Sequence, residues 1–101
     1  MTASLTCRKT HLLEAGSVYA WETADGITGN IVITADGSVA RPCTPQGIPL
    51  GDMLLDKNIG DVEHPDPDPK VRRAFLITAS AIFQERERQG HLPDVITRTY
   101  W

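Results

Sequence analysis

Cys7 and His11 are separated by three residues, and Cys43 and His64 supply the other thiol and imidazole of a conceivable tetrahedral zinc set. Structural zinc sites draw their ligands as two close pairs, whereas Cys43 and His64 lie 21 residues apart. The spacing argues for two independent thiols and two surface histidines, so no metal and no cofactor is expected. A second candidate is the run Asp61-Val62-Glu63-His64-Pro65-Asp66-Pro67-Asp68, which packs four carboxylates and an imidazole into eight residues. Such a set could hold a hard cation or perform acid–base chemistry. It lacks the glycine and terminal bidentate Glu of a calcium loop, and its alternating prolines favour an extended chain whose carboxylates diverge. The plainer expectation is an acidic linker that caps a helix.

Nucleophilic catalysis leaves no mark in the sequence. There is no Gly-x-Ser-x-Gly elbow, no protease-type cysteine motif and no Gly-rich phosphate loop. No catalytic residue is assigned on this basis. The aromatic residues point elsewhere: Tyr19 and Trp21 share one face of a strand pattern, and Tyr100 and Trp101 close the sequence. Tyr and Trp are favoured interface anchors because they combine rigid area with a polar tip, although core packing is the plainer expectation for Tyr19 and Trp21.

These residues sit on a chain of 101 residues, 41% hydrophobic and 23% charged, with a formal net charge of −3. That is one domain with room for one core. Two cysteines are too few for a disulfide-built scaffold. The first residues, MTASLTCRKTHLLEAG, do not read as a secretory signal, and the longest strongly apolar stretch, 74–83, is far too short to cross a bilayer. A reducing cytoplasm is the expected compartment, with no membrane contact. The mild acidity argues against a general nucleic-acid surface, although Arg72, Arg73, Arg86 and Arg88 gather on the second half. Residues 52–68 carry six acidic side chains against Lys57 alone, feeding this basic-flanked stretch.

The elements that must position these groups are legible in part. Thr23-Ala24-Asp25-Gly26 recurs as Thr34-Ala35-Asp36-Gly37, and Asp-Gly between β-rich runs is a strong hairpin signal. Region 17–41 is therefore expected to form a three-stranded antiparallel meander. Segment 42–68, with five of the seven prolines, reads as one long Pro/Gly/acidic connection, with a helical turn or two near Met53, Leu54 and Leu55. A helix over about 69–89 follows from Asp68 as N-cap, Pro69 in the first turn and Gly90 as terminator. Val71, Phe75, Thr78 and Ile82 centre one face of it, while Leu76, Ile77 and Phe83 point well away. A last strand is expected near 95–100, and the run from Ser4 to Leu13 decides between no two elements.

The expected fold class is α+β: a three- to four-stranded antiparallel sheet packed on one long helix. That arrangement is shared by many small bacterial and phage proteins, among them antitoxins, immunity proteins and regulators, an analogy that carries no residue-level information. The first expectation for function is a non-catalytic protein-interaction module, with Tyr19, Trp21, Glu63, Asp66, Leu76, Ile77, Phe83 and Trp101 as its candidate surface. A sheet of three or four strands covers one side of the helix only, so the rest is expected to be covered by a homodimer partner or, within the chain, by Leu12 and Leu13 or by residues 53–55. The alternative is a small enzyme with a site around His64, Asp66 and Glu63, completed by a dimer partner.

Overall fold

Seven strands and one helix follow one another as β1 (Ala3–Leu13), β2 (Gly16–Thr23), β3 (Thr28–Thr34), β4 (Val39–Cys43), β5 (Leu54–Asp56), β6 (Val62–Glu63), α1 (Pro69–Gln89) and β7 (Val95–Tyr100). The computed structural model describes residues 3–14, 16–24, 26–60 and 62–100. All strands belong to one antiparallel sheet in the order β6-β5-β4-β3-β2-β1-β7. Six strands are simply laid down side by side. The helix then has to return the chain from the β6 edge to the β7 edge. Its 21 residues rise about 31 Å, close to the roughly 29 Å between the outer strands of a seven-stranded sheet. The helix is as long as the sheet is wide.

The helix ends follow from the residues expected to make them. The Asp68 carboxylate accepts from the backbone N–H of Lys70 at 2.9 Å, Pro69 opens the first turn, and Gly90 at φ 83° closes the last by donating its N–H to Arg86 O at 2.7 Å. Only a residue without Cβ adopts that left-handed conformation freely. Ala74, Phe75, Thr78, Ala79, Ala81 and Ile82 are buried against Leu5, Cys7, Tyr19, Trp21, Ile31, Ile33, Ala40, Met53, Leu55 and Ile96 of the sheet. The meander appears as β2, β3 and β4. Its second turn is fixed by Asp36, whose Oδ1 accepts from Thr34 Oγ1, Ser38 N and Ser38 Oγ. Those bonds hold its carboxyl down at about 2.

The sheet is wider than the three or four strands expected. β1 adds eleven residues that the sequence left open. Leu5 and Cys7 face the helix, but a β-bulge between Lys9 and His11 inserts Thr10 and shifts the alternation, so that Leu12 returns to the helix side. The connection 42–68 contributes β5 and β6, and Leu54 and Leu55 are strand residues rather than a helical turn. Strands of three and two residues are too short to show a period against so many breakers. The rest of that segment is also structured. Loop 44–50 folds onto the sheet face opposite the helix, bridging Cys43 to Pro49, and Gly47 packs against Val18 and Leu13 so closely that a Cβ there would lie 3.0 Å from Val18 and 2.7 Å from Leu13. Val18 and Cys43 are buried there, outside the main core.

Candidate functional site

Residues singled out in the sequence are scattered by the fold. Tyr19 is wholly buried, and its hydroxyl donates to Pro93 O at 2.5 Å. Burial, followed by the charges of Cys7 and Asp94, pushes its phenol well above the ordinary value. Trp21 is buried on the same face, stacked over Gly29 of β3. Both are core residues. Leu76, Ile77 and Phe83 are half-buried and packed against the same core, because a seven-stranded sheet covers more of the helix than a narrow one does. The reason for expecting a second subunit on that face is thereby removed. Trp101 lies outside the described residues, as does Asp61.

The acidic run forms a turn into the helix. Glu63 pairs with Leu54 and is exposed, and His64 is exposed at φ 50°. The Asp66 carboxylate accepts from Asp68 N at 2.8 Å, so Asp66 and Asp68 cap in succession. Among the described residues no hydrogen bond or ion pair joins Glu63, His64 and Asp66. Cys7 faces the helix from β1, whereas Cys43 lies on the opposite face of β4; burial pushes the two thiols up to about 12 and about 11. His11 is exposed beside Thr10. No group of three or more possible metal ligands converges among the described residues.

One ionic cluster was missed from sequence. Glu85, buried on α1, accepts from Arg88 at 2.5 Å, from Gln89 at 2.7 Å and from Arg98 of β7 at 2.6 Å. These bonds, from Arg88 first and Arg98 second, hold its carboxyl down at about 2. The cluster ties the last turns of the helix to β7. Position 85 looked like one more charge on a solvated helix end, and only the return of β7 beside β1 brings Arg98 to it.

An open groove of about 530 Å³ lies where the β1–β2 hairpin, the β3–β4 turn and the end of the helix meet. Leu12 and Leu92 supply its apolar surface, and Lys9, Arg86, His91 and Asp94 its polar rim. The bulge in β1 creates it, by turning Leu12 toward the helix side beyond the point where the helix ends. Leu12 is 80% exposed, and nothing in the core reaches it. Lys9 meets Asp94 at 3.4 Å across the rim. Leu13 turns the other way, toward loop 44–50, whose Ile48 and Leu50 are 63% and 53% exposed. The sequence showed Leu12 and Leu13 only as an undecided pair and a possible cover for the helix. No helix among the described residues is long and apolar enough to cross a membrane. No protein-family model, curated protein or solved structure matches the chain.

Proposed function

We propose that this chain is a non-catalytic protein-interaction module that receives an apolar side chain of a partner in the groove around Leu12. The observation that carries the reading is the 80% exposure of Leu12 within a groove rimmed by charges of both signs. An apolar floor with a polar rim is the anatomy of a protein contact, in which a buried anchor supplies affinity and the rim supplies orientation. Full burial of one leucine is worth about 1.5–3 kcal/mol, enough to make position 12 the energetic centre of such a contact. The surface differs from the one expected at the outset. Tyr19 and Trp21 build the core that holds β1 in place, and Leu12 presents what that strand carries to solvent.

A displayed peptide library panned against the purified protein tests this. Selected peptides are expected to share an aromatic or aliphatic anchor, and Leu12→Asp to weaken them at least about tenfold, the equivalent of about 1.4 kcal/mol. Because the side chain is exposed, the substitution should leave stability within about 0.5 kcal/mol of the parent. Peptides that bind the variant as well as the parent would remove the groove from the interface.

A further inference from the structure

We propose that two copies of this chain pair through the free edge of β7, antiparallel, about a two-fold axis passing through Thr97. The two edges of the sheet are unlike. At one, β6 is two residues long, ends in Glu63 and runs into Pro65 and Pro67, all devices that discourage strand addition. At the other, β7 offers six residues with no Pro and no Gly. Its one charged side chain, Arg98, is turned back to Glu85 on the helix at 2.6 Å. Among the described residues nothing guards this edge.

The ladder fixes which backbone groups are available. Lys9 N donates to Asp94 O at 2.8 Å, so Lys9 and Asp94 are a hydrogen-bonded pair. Alternation then directs the N–H and C=O of Ile96 and Arg98 toward β1, and those of Val95, Thr97 and Thr99 away from the sheet. A second β7 meets them best in one register. With Thr97 opposite Thr97, Val95 falls opposite Thr99, and each of these residues both donates and accepts a backbone bond. Moving the centre to Arg98 leaves Val95 without a partner within the strand and sets two arginines opposite each other, which is unfavourable. A centre at Ile96 leaves Thr99 unpaired. The Thr97 register also keeps both helices on the same face, so the two sheets join into one continuous sheet. The matching of the strand to itself is the reason a second copy, rather than a foreign strand, is the assigned occupant.

Sedimentation at tens of micromolar should show a species of twice the 11.1 kDa chain mass. Thr97→Pro removes an N–H that points away from β1, a position where an edge strand tolerates proline, and should return the protein to the single-chain mass. Thr97→Cys gives a second readout. Opposed Cα atoms in a hydrogen-bonded pair lie about 5.5 Å apart, within disulfide reach, whereas two Val95 positions would be about 13 Å apart. Mild oxidation should therefore cross-link Thr97→Cys and not Val95→Cys; the native Cys7 and Cys43 are buried and stay silent. A parent that sediments at single-chain mass overturns the proposal. So does a dimer that survives Thr97→Pro, that fails to cross-link at 97, or that cross-links equally at 95. Leu12→Asp should leave the dimer intact, which separates this edge from the groove.

Discussion

Removing the hydroxyl of Tyr19 tests how the start of β7 is held to the rest of the sheet across β1. Tyr19 stands on β2 opposite Lys9 of β1, and Lys9 in turn bonds to Asp94 just before β7. The phenol thus reaches across β1 to hold Pro93 O, at 2.5 Å, in a fully buried setting. Tyr19→Phe keeps the ring and takes away only the donor. Leaving a buried acceptor without its partner costs about 1–3 kcal/mol. At about 4–8 °C per kcal/mol for a domain near this size, Tm should fall by about 4–24 °C. In urea the midpoint should drop with an unchanged slope, since no extra surface is exposed. The loss should stay below the about 3–5 kcal/mol expected when a large aromatic is cut to alanine. A variant within about 0.5 kcal/mol of the parent would refute the reasoning, because the hydroxyl would then be as dispensable as a surface group.

The same residue makes a second demand in alkali. Its phenol is raised above the ordinary value of 10.0, so the unfolded chain releases its proton first. Stability from this source is complete below pH 10 and is lost as pH rises above it. Cys7 and Cys43 act in the same direction from their ordinary 9.0 up to about 12 and about 11. Tyr19→Phe should therefore flatten the alkaline limb in part and leave the thiol share in place.

Glu85 governs the opposite limb. Its carboxyl is lowered from 4.5 to about 2, so stability present above pH 4.5 is expected to fall between those values, and Glu85→Gln should blunt that fall while loosening β7 from the helix. Thermal melts between pH 2 and 7 read it directly; Asp36, also held at about 2, supplies a limb common to both proteins, and a variant whose acid limb is undiminished would count against the cluster. Gly29→Ala places a Cβ within 2.5 Å of the Trp21 ring, which has little room to retreat; about 1–3 kcal/mol of destabilisation and a shifted Trp21 emission are expected. An unchanged melt and spectrum would show the ring to be free to move.

Sequence signals matched the fold wherever one residue type enforces one local geometry. Asp68, Pro69 and Gly90 specified the helix ends, and the repeated Asp-Gly pairs specified the hairpins, because caps and tight turns depend on neighbours within a few residues. β1 escaped for a definite reason. Its bulge moves the helix-side positions from the odd numbers of Leu5 and Cys7 to the even number of Leu12, so no single period spans the strand. β5 and β6 escaped because short strands in a proline-rich segment are decided by the edge they meet. The candidate site fared worse for a related reason. Large aromatics suit an interface and a core equally well, and only a partner strand such as β3 beneath Trp21 settles which they serve. Leu12 was legible only as a possible cover for the helix, and it is exposed instead because the helix stops short of it.

The helix shows how a correct local reading can imply the wrong neighbour. Its apolar surface does extend well around the axis, and with three or four strands a second subunit would have been the economical cover for Leu76, Ile77 and Phe83. The strands not expected, β5 and β6 at one side and β1 between β2 and β7, change that balance. They widen the sheet until these side chains are half-buried within one chain. Width has a consequence at the margins. A seven-stranded open sheet must still end somewhere, and its two margins are β6 and β7. One margin ends in proline and acid. The other ends in the evenly spaced, uncharged outward backbone of β7. The proposed pairing of two copies therefore draws on backbone hydrogen bonds at that edge and no longer on the apolar area of the helix.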